Sequence, residues 1–104
     1  MKTLKLVLKK KWYDMIASGE KKEEYREMKE YWIHRLAEDV PPPSFFGRRY
    51  GTVTFYLGYA KERPSMSFKI ESITIGKGKT EWGAEPGKDY FVIKLGERIL
   101  EESR

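Results

Sequence analysis

Residues 18–27 read SGEKKEEYRE, and Tyr25 is the only bulky ring in the stretch. Immediately upstream, Trp12, Met15, Ile16 and Gly19 fall at helical spacing. That spacing predicts a short helix over Lys11 to Ser18, closed by Gly19 as a left-handed cap. A chain leaving such a cap with alternating charge reads as a strand. Glu24 and Arg26 then share one face and Tyr25 takes the other, because successive strand side chains point to opposite sides. The charge density of the stretch argues against its being core.

Working outward, Leu4, Leu6 and Leu8 alternate with Lys5, Val7 and Lys9, the pattern of a half-buried strand. On the other side, Met28, Trp32 and Leu36, flanked by Ile33 and Ala37, predict a second amphipathic helix that stops before Pro41-Pro42-Pro43. Residues 40–51 read as a loop. Val53, Phe55 and Leu57 then alternate, as do Met66, Phe68 and Ile70. Ile73 and Ile75 continue in the opposite phase, and the flip near Glu71-Ser72 predicts a β-bulge. GKGKTEWGAEPGK (residues 76–88) reads as a glycine-rich loop, and Phe91, Ile93 and Leu95 as the last core strand. The order β-α-β-α-β-β-β lacks repeated crossover helices. It predicts an α+β fold: a small, mixed and mostly antiparallel β-barrel flanked by two or three short helices. The predicted interior comprises Leu4, Leu6, Leu8, Tyr25, Val53, Phe55, Leu57, Phe68, Ile70, Phe91, Ile93 and Leu95.

The chain has 104 residues, enough for one domain and one modest core, and residues 1–104 are read as that domain. Its 21 Lys and Arg outweigh 16 Asp and Glu, a net charge of +5 that favours polyanionic partners. There is no cysteine, which removes disulfides, thiolate nucleophiles and zinc–cysteine sites. A single histidine, His34, without any cysteine argues against a zinc site, and neither a metal nor another cofactor is expected. No apolar run approaches the ~20 residues of a membrane helix. The N-terminal leucines alternate with lysines, so they do not form the apolar stretch of a signal peptide. The expectation is a cytoplasmic protein without a membrane partner.

GKGKT (Gly76 to Thr80) lacks the spacing of a phosphate-binding P-loop. Nothing near His34 suggests a serine hydrolase. The remaining constellation is Lys21, Glu24 and Arg26. Its plainest reading is a solvated strand face with an ion pair, and such pairs contribute little. The same residue types also suit ligand recognition. A carboxylate accepts from an exocyclic amine, arginine holds phosphate or carbonyl groups, and a lysine beside an arginine can act as a base.

The Gly19-x-Lys21 and Glu24-x-Arg26 pair, with helix before and strand after, resembles the signature of the ASCH domain family, a branch of the PUA-like superfamily. KKKWYDMIASGEKKEEYRE (residues 9–27) and YFVIKLGE (residues 90–97) are similar to that family's first and last blocks, so the likeness spans nearly the whole chain. It implies a five- or six-stranded barrel with a basic cleft beside the motif strand and RNA or modified nucleosides as ligands. One branch of the family hydrolyses N4-acylated cytidine with the motif lysine, a threonine and a glutamate; another is reported to cleave RNA. Glu24 stands here where that branch has its threonine, and Glu85 and Glu81 match its glutamate by position only.

Three functions follow as expectations. The first is binding of RNA or a nucleoside-like ligand by Lys21, Glu24 and Arg26, with Lys21 at the cleft rim and Tyr59 and Trp82 stacking on bases. The second is hydrolysis, with Lys21 as base and Glu24 or Glu85 as its partner. The third is a protein-interaction patch made by Phe45, Phe46 and Tyr50.

Overall fold

The computed structural model describes residues 2–40 and 49–100. Its strands are β1 (Lys2–Leu8), β2 (Glu23–Glu27), β3 (Tyr50–Leu57), β4 (Ser65–Lys77) and β5 (Asp89–Ile99); its helices are α1 (Lys10–Ala17) and α2 (Glu30–Leu36). The strands form one mixed sheet in the order β1-β3-β4-β5-β2. β1 runs parallel to β3, and the other three pairings are antiparallel. The sheet curls into a half-barrel whose outermost strands, β1 and β2, do not pair with each other. A closed barrel is therefore not what forms; an open seam runs between β1 and β2.

The concave face holds the main core. Leu4, Leu6 and Leu8 meet Val53 and Phe55, Phe68, Ile70 and Ile73, and Phe91, Ile93 and Leu95. These are the alternating positions of the sequence, with Leu57 only half-buried at the margin. The phase flip in β4 appears as register shifts between Phe68 and Ile70 and between Ile70 and Ser72. Such irregularities bend a strand, and here they let β4 keep an apolar residue inward on both sides of the bend. Helix α1 lays Tyr13 and Ile16 on the core and ends at Ala17, with Ser18 as its cap; Gly19 follows in the left-handed region, at a φ of 84° that glycine adopts without strain. Helix α2 is shorter than its sequence pattern. Met28 precedes it, and both Met28 and Ile33 are exposed; Leu36 alone is fully buried.

Tyr25 departs from its predicted place. It pairs with Val92, not with the core residues Phe91 or Ile93, and so lies on the convex face of the sheet. There it forms a second cluster with Ala84, Tyr90 and Val92 under the segment that follows β4. That segment is not a plain loop: it makes a 3-10 turn at Thr80–Trp82, and its backbone crosses directly over the Tyr25 ring. A Cβ on Gly78 would lie 2.6 Å from the Ala84 Cβ and 2.8 Å from the Tyr25 ring, so only glycine fits the crossing.

A buried carboxylate governs the entry to β3. Asp39 is 2% exposed and accepts hydrogen bonds from the backbone N–H of Arg49 (2.6 Å) and of Tyr50 (2.9 Å). Asp39→Ala leaves two backbone donors without this acceptor. At about 1.5–3 kcal/mol per hydrogen bond to a charged group, urea unfolding should show a loss of roughly 3 kcal/mol, and Asp39→Asn a smaller one. A loss below about 1 kcal/mol in Asp39→Ala would show that other acceptors replace the carboxylate.

Candidate functional site

The register that places Tyr25 outside places its neighbours inside. Glu24 pairs with Ile93 and Arg26 with Phe91, both core residues, so the two charged side chains project from the core face of β2. They stand where the half-barrel fails to close. Lys21 joins them from the turn after α1, its backbone N–H fixed on the carbonyl of Met15. Contrary to the charge pattern of the stretch, Lys21 and Glu24 are buried, at 2% and 4% exposed. The local physics explains this, because each charge meets a partner in place of water. The Lys21 Nζ donates to Glu24 Oε1 (2.7 Å) and to the Trp82 carbonyl (2.9 Å), and it lies 4.6 Å from the Trp12 ring centroid. The ammonium therefore belongs to the floor of the site and not to its rim.

Arg26 spans the seam. Its Nη1 donates to Glu24 Oε2 (2.9 Å) and to the Tyr25 carbonyl (2.8 Å), and its Nη2 reaches the Val7 carbonyl of β1 at 3.4 Å. Strand geometry makes these contacts possible. The Leu8 carbonyl accepts from Gly58 on the β3 side, so by alternation the backbone groups of Val7 and Lys5 turn toward the open edge. On β2 the Lys22 carbonyl accepts from Leu95, which turns Tyr25 to the seam; its N–H donates to Glu24 Oε1 at 3.1 Å. Glu24 and Arg26 thus satisfy both backbone groups of Tyr25 at the edge of β2 and tie that edge to β1 by a guanidinium instead of a ladder. Arg26 also lies over the Trp32 ring at 5.4 Å.

Above this triad the seam opens into a cleft of about 810 Å³. Six cationic side chains line it (Lys5, Lys9, Lys21, Arg26, Lys29 and Lys88) against three carboxylates, Glu24, Glu27 and Glu85, a net of +3. All three tryptophans of the chain, Trp12, Trp32 and Trp82, face it as well. Phenylalanine is absent from its described lining, and Phe55, Phe68 and Phe91 are core. At the mouth, Lys88 donates to Glu27 at 3.1 Å and Lys29 lies 3.6 Å from the same carboxylate.

The sequence-predicted site residues divide clearly. Lys21, Glu24, Arg26, Tyr59, Trp82 and Glu85 all border the cleft. Tyr59 is 86% exposed at its edge, whereas Trp82 is half-buried against the convex cluster and supplies the carbonyl that holds Lys21. Glu81 is exposed and does not line the cleft. Tyr50 is buried and cannot belong to an exposed patch; Phe45 and Phe46 lie outside the described residues. Sequence reasoning missed Trp12 and Trp32, which helical periodicity assigns to the core. The usable signal was chemical: tryptophan on the margin of an apolar face keeps a polar edge near water.

Among the described residues no three His, Asp or Glu side chains gather as a metal would require, and no helix is long and apolar enough to cross a membrane. Comparisons with protein-family models, curated proteins and solved structures return no match. The likeness to ASCH domains rests on the sequence motif and its two flanking blocks alone.

Burial lowers the pKa of Lys21 below the ordinary lysine value; the neighbouring Glu24 opposes that shift and Arg26 adds to it. The triad carries two positive charges and one negative, so its members are not equivalent. Removing Lys21 leaves a balanced Glu24–Arg26 pair, whereas removing Glu24 leaves two like charges together. Glu24→Leu should cost about 3–5 kcal/mol in thermal or urea unfolding, and Lys21→Met clearly less. The pH dependence follows from the sign of the shift. A lysine with a lowered folded pKa binds fewer protons folded than unfolded, so stability rises as pH climbs from the folded value to the unfolded one. Without Glu24 the folded value falls further, and the deficit of Glu24→Gln against wild type should shrink between neutral pH and pH of about 9.5. A deficit that grows over that range would mean Lys21 is not the group being desolvated.

Proposed function

We propose that the seam cleft binds RNA or a modified nucleoside. One observation carries the reading: the half-barrel is left open where three tryptophans and a net positive charge meet. Aromatic faces accept unpaired bases, at roughly 1–3 kcal/mol per base, and clustered cations attract phosphate. The resemblance of the Gly-x-Lys and Glu-x-Arg residues to ASCH domains supports the same ligand class. In this reading Arg26 offers its remaining donors to a phosphate or carbonyl, and the exposed Tyr59 closes over a base. Lys21 positions Glu24 from below.

Hydrolysis of an N4-acylated cytidine ranks second. What favours it is the lowered pKa of Lys21 beside a carboxylate, the pairing a general base uses. Against it, the Lys21 ammonium is enclosed, and no serine or threonine lines the cleft among the described residues to act as a nucleophile.

The tryptophans make the test direct, because any occupant of the cleft lies near all three. Titration with single-stranded RNA should quench intrinsic fluorescence, and log affinity should fall with log salt by about 0.7 per phosphate contacted. Tyr59→Ala, at an exposed position, should leave the melting temperature unchanged and weaken binding about 5- to 150-fold. Absence of any RNA- or nucleoside-dependent quenching would remove the proposal. Release of acetate from N4-acetylcytidine by wild type, lost in Lys21→Met, would put hydrolysis first.

A further inference from the structure

The cleft does not end at Trp32. A second depression of about 240 Å³ lies on the far side of that residue, between β1 and α2, and it shares Lys5, Tyr31 and Trp32 with the first. Its remaining border includes Thr3, Tyr50 and Arg35. Two features set it apart from an ordinary surface dip. It carries two cations, Lys5 and Arg35, and no carboxylate among its described lining. It also has an aromatic wall. Tyr31 is more than half exposed, meets Trp32 edge to face at 4.8 Å, and carries the Arg35 guanidinium over its ring at 4.2 Å. Tyr31 and Arg35 are four residues apart on α2, which places them side by side on one helix face.

Resting on the reading of the cleft as a base-binding site, we infer that the two depressions form one track for a single-stranded segment of two to three nucleotides. A base occupies the main cleft, the next phosphate lies between Lys5 and Arg35, and the next base meets Tyr31. A free nucleoside has no group for the second depression. A duplex has its bases stacked on one another and offers none to the rings. Volume agrees: the main cleft alone reaches the upper part of the ~300–1,000 Å³ range of small-molecule sites, and the extension lengthens it in one direction. Cations and rings line the track together: Arg26 in the main cleft, Arg35 in the extension, and Lys5, Tyr31 and Trp32 common to both.

The experiment compares uridine 5′-monophosphate, the dinucleotide UpU, and oligouridylates of three and six residues by tryptophan fluorescence. Affinity should step up at least tenfold between the monophosphate and the trinucleotide, then change little per site. Arg35→Ala should abolish most of that step, lower the salt slope for the trinucleotide by about 0.7, and leave the monophosphate affinity within twofold. Arg35→Gln serves as a second variant should truncation disturb α2, with helicity checked by circular dichroism. Equal affinity for monophosphate and trinucleotide, or an Arg35 variant that affects both alike, overturns the track and leaves the cleft proposal standing. Failure of every nucleotide to bind overturns both. An acidic peptide of glutamates that binds as tightly as the hexanucleotide overturns the track too, since the groove would then select charge without bases.

Discussion

A single guanidinium stands where a barrel would have a ladder. β1 and β2 are the free edges of the sheet, and Arg26 joins them through the Tyr25 and Val7 carbonyls while remaining paired to Glu24. An unpaired edge invites pairing with another chain. Here the edge of β2 is occupied by its own side chains: Glu24 takes the Tyr25 N–H and Arg26 the carbonyl. The seam stays open without leaving that edge bare, and the opening is the cleft. Fold and site are thus two descriptions of one incomplete closure.

The energetic logic of the triad points the same way. Buried ion clusters seldom stabilise a protein more than apolar side chains of similar shape. Three well-packed aliphatic residues at positions 21, 24 and 26 would hold α1, β2 and β1 together at no greater cost. They would also carry the core through the seam and remove its charge. Lys21, Glu24 and Arg26 instead keep a positive, hydrogen-bonding floor under a ring of tryptophans. The enclosed Lys21 contributes by holding Glu24, and Arg26, with 17% of its side chain exposed, is the member that meets solvent.

Much of the fold was legible in the sequence because it rests on period-two alternation. Strands β1, β3, β4 and β5 bury most of the residues that alternate, Ile75 near the end of β4 being exposed, and the β4 irregularity follows from a visible change of phase. The failures have local causes. A tyrosine between charged residues looks like the apolar, inward member of a strand, which is why alternation alone puts Tyr25 inside. Its true face depends on the pairing of β2 with β5, a long-range fact. The burial of Lys21 and Glu24 was unreadable for a related reason: charges look solvated until their partners are known, and one partner is a carbonyl at residue 82. Asp39 shows the same limit, since the backbone N–H groups that donate to its carboxylate lie ten and eleven residues away. At the cleft, the motif residues stood out by spacing, whereas Trp12 and Trp32 were hidden inside helical patterns that their position equally satisfies.

Asp39 has a consequence for how the chain tolerates change. Its carboxylate grips the backbone at residues 49 and 50, so both ends of the intervening connection are moored to the body of the protein independently of what lies between them. For a moored connection the entropy of closure grows only logarithmically, by about 0.6 kcal/mol for each doubling of length. The number of residues between Asp39 and Arg49 can therefore change at little entropic cost while β3 still starts in register.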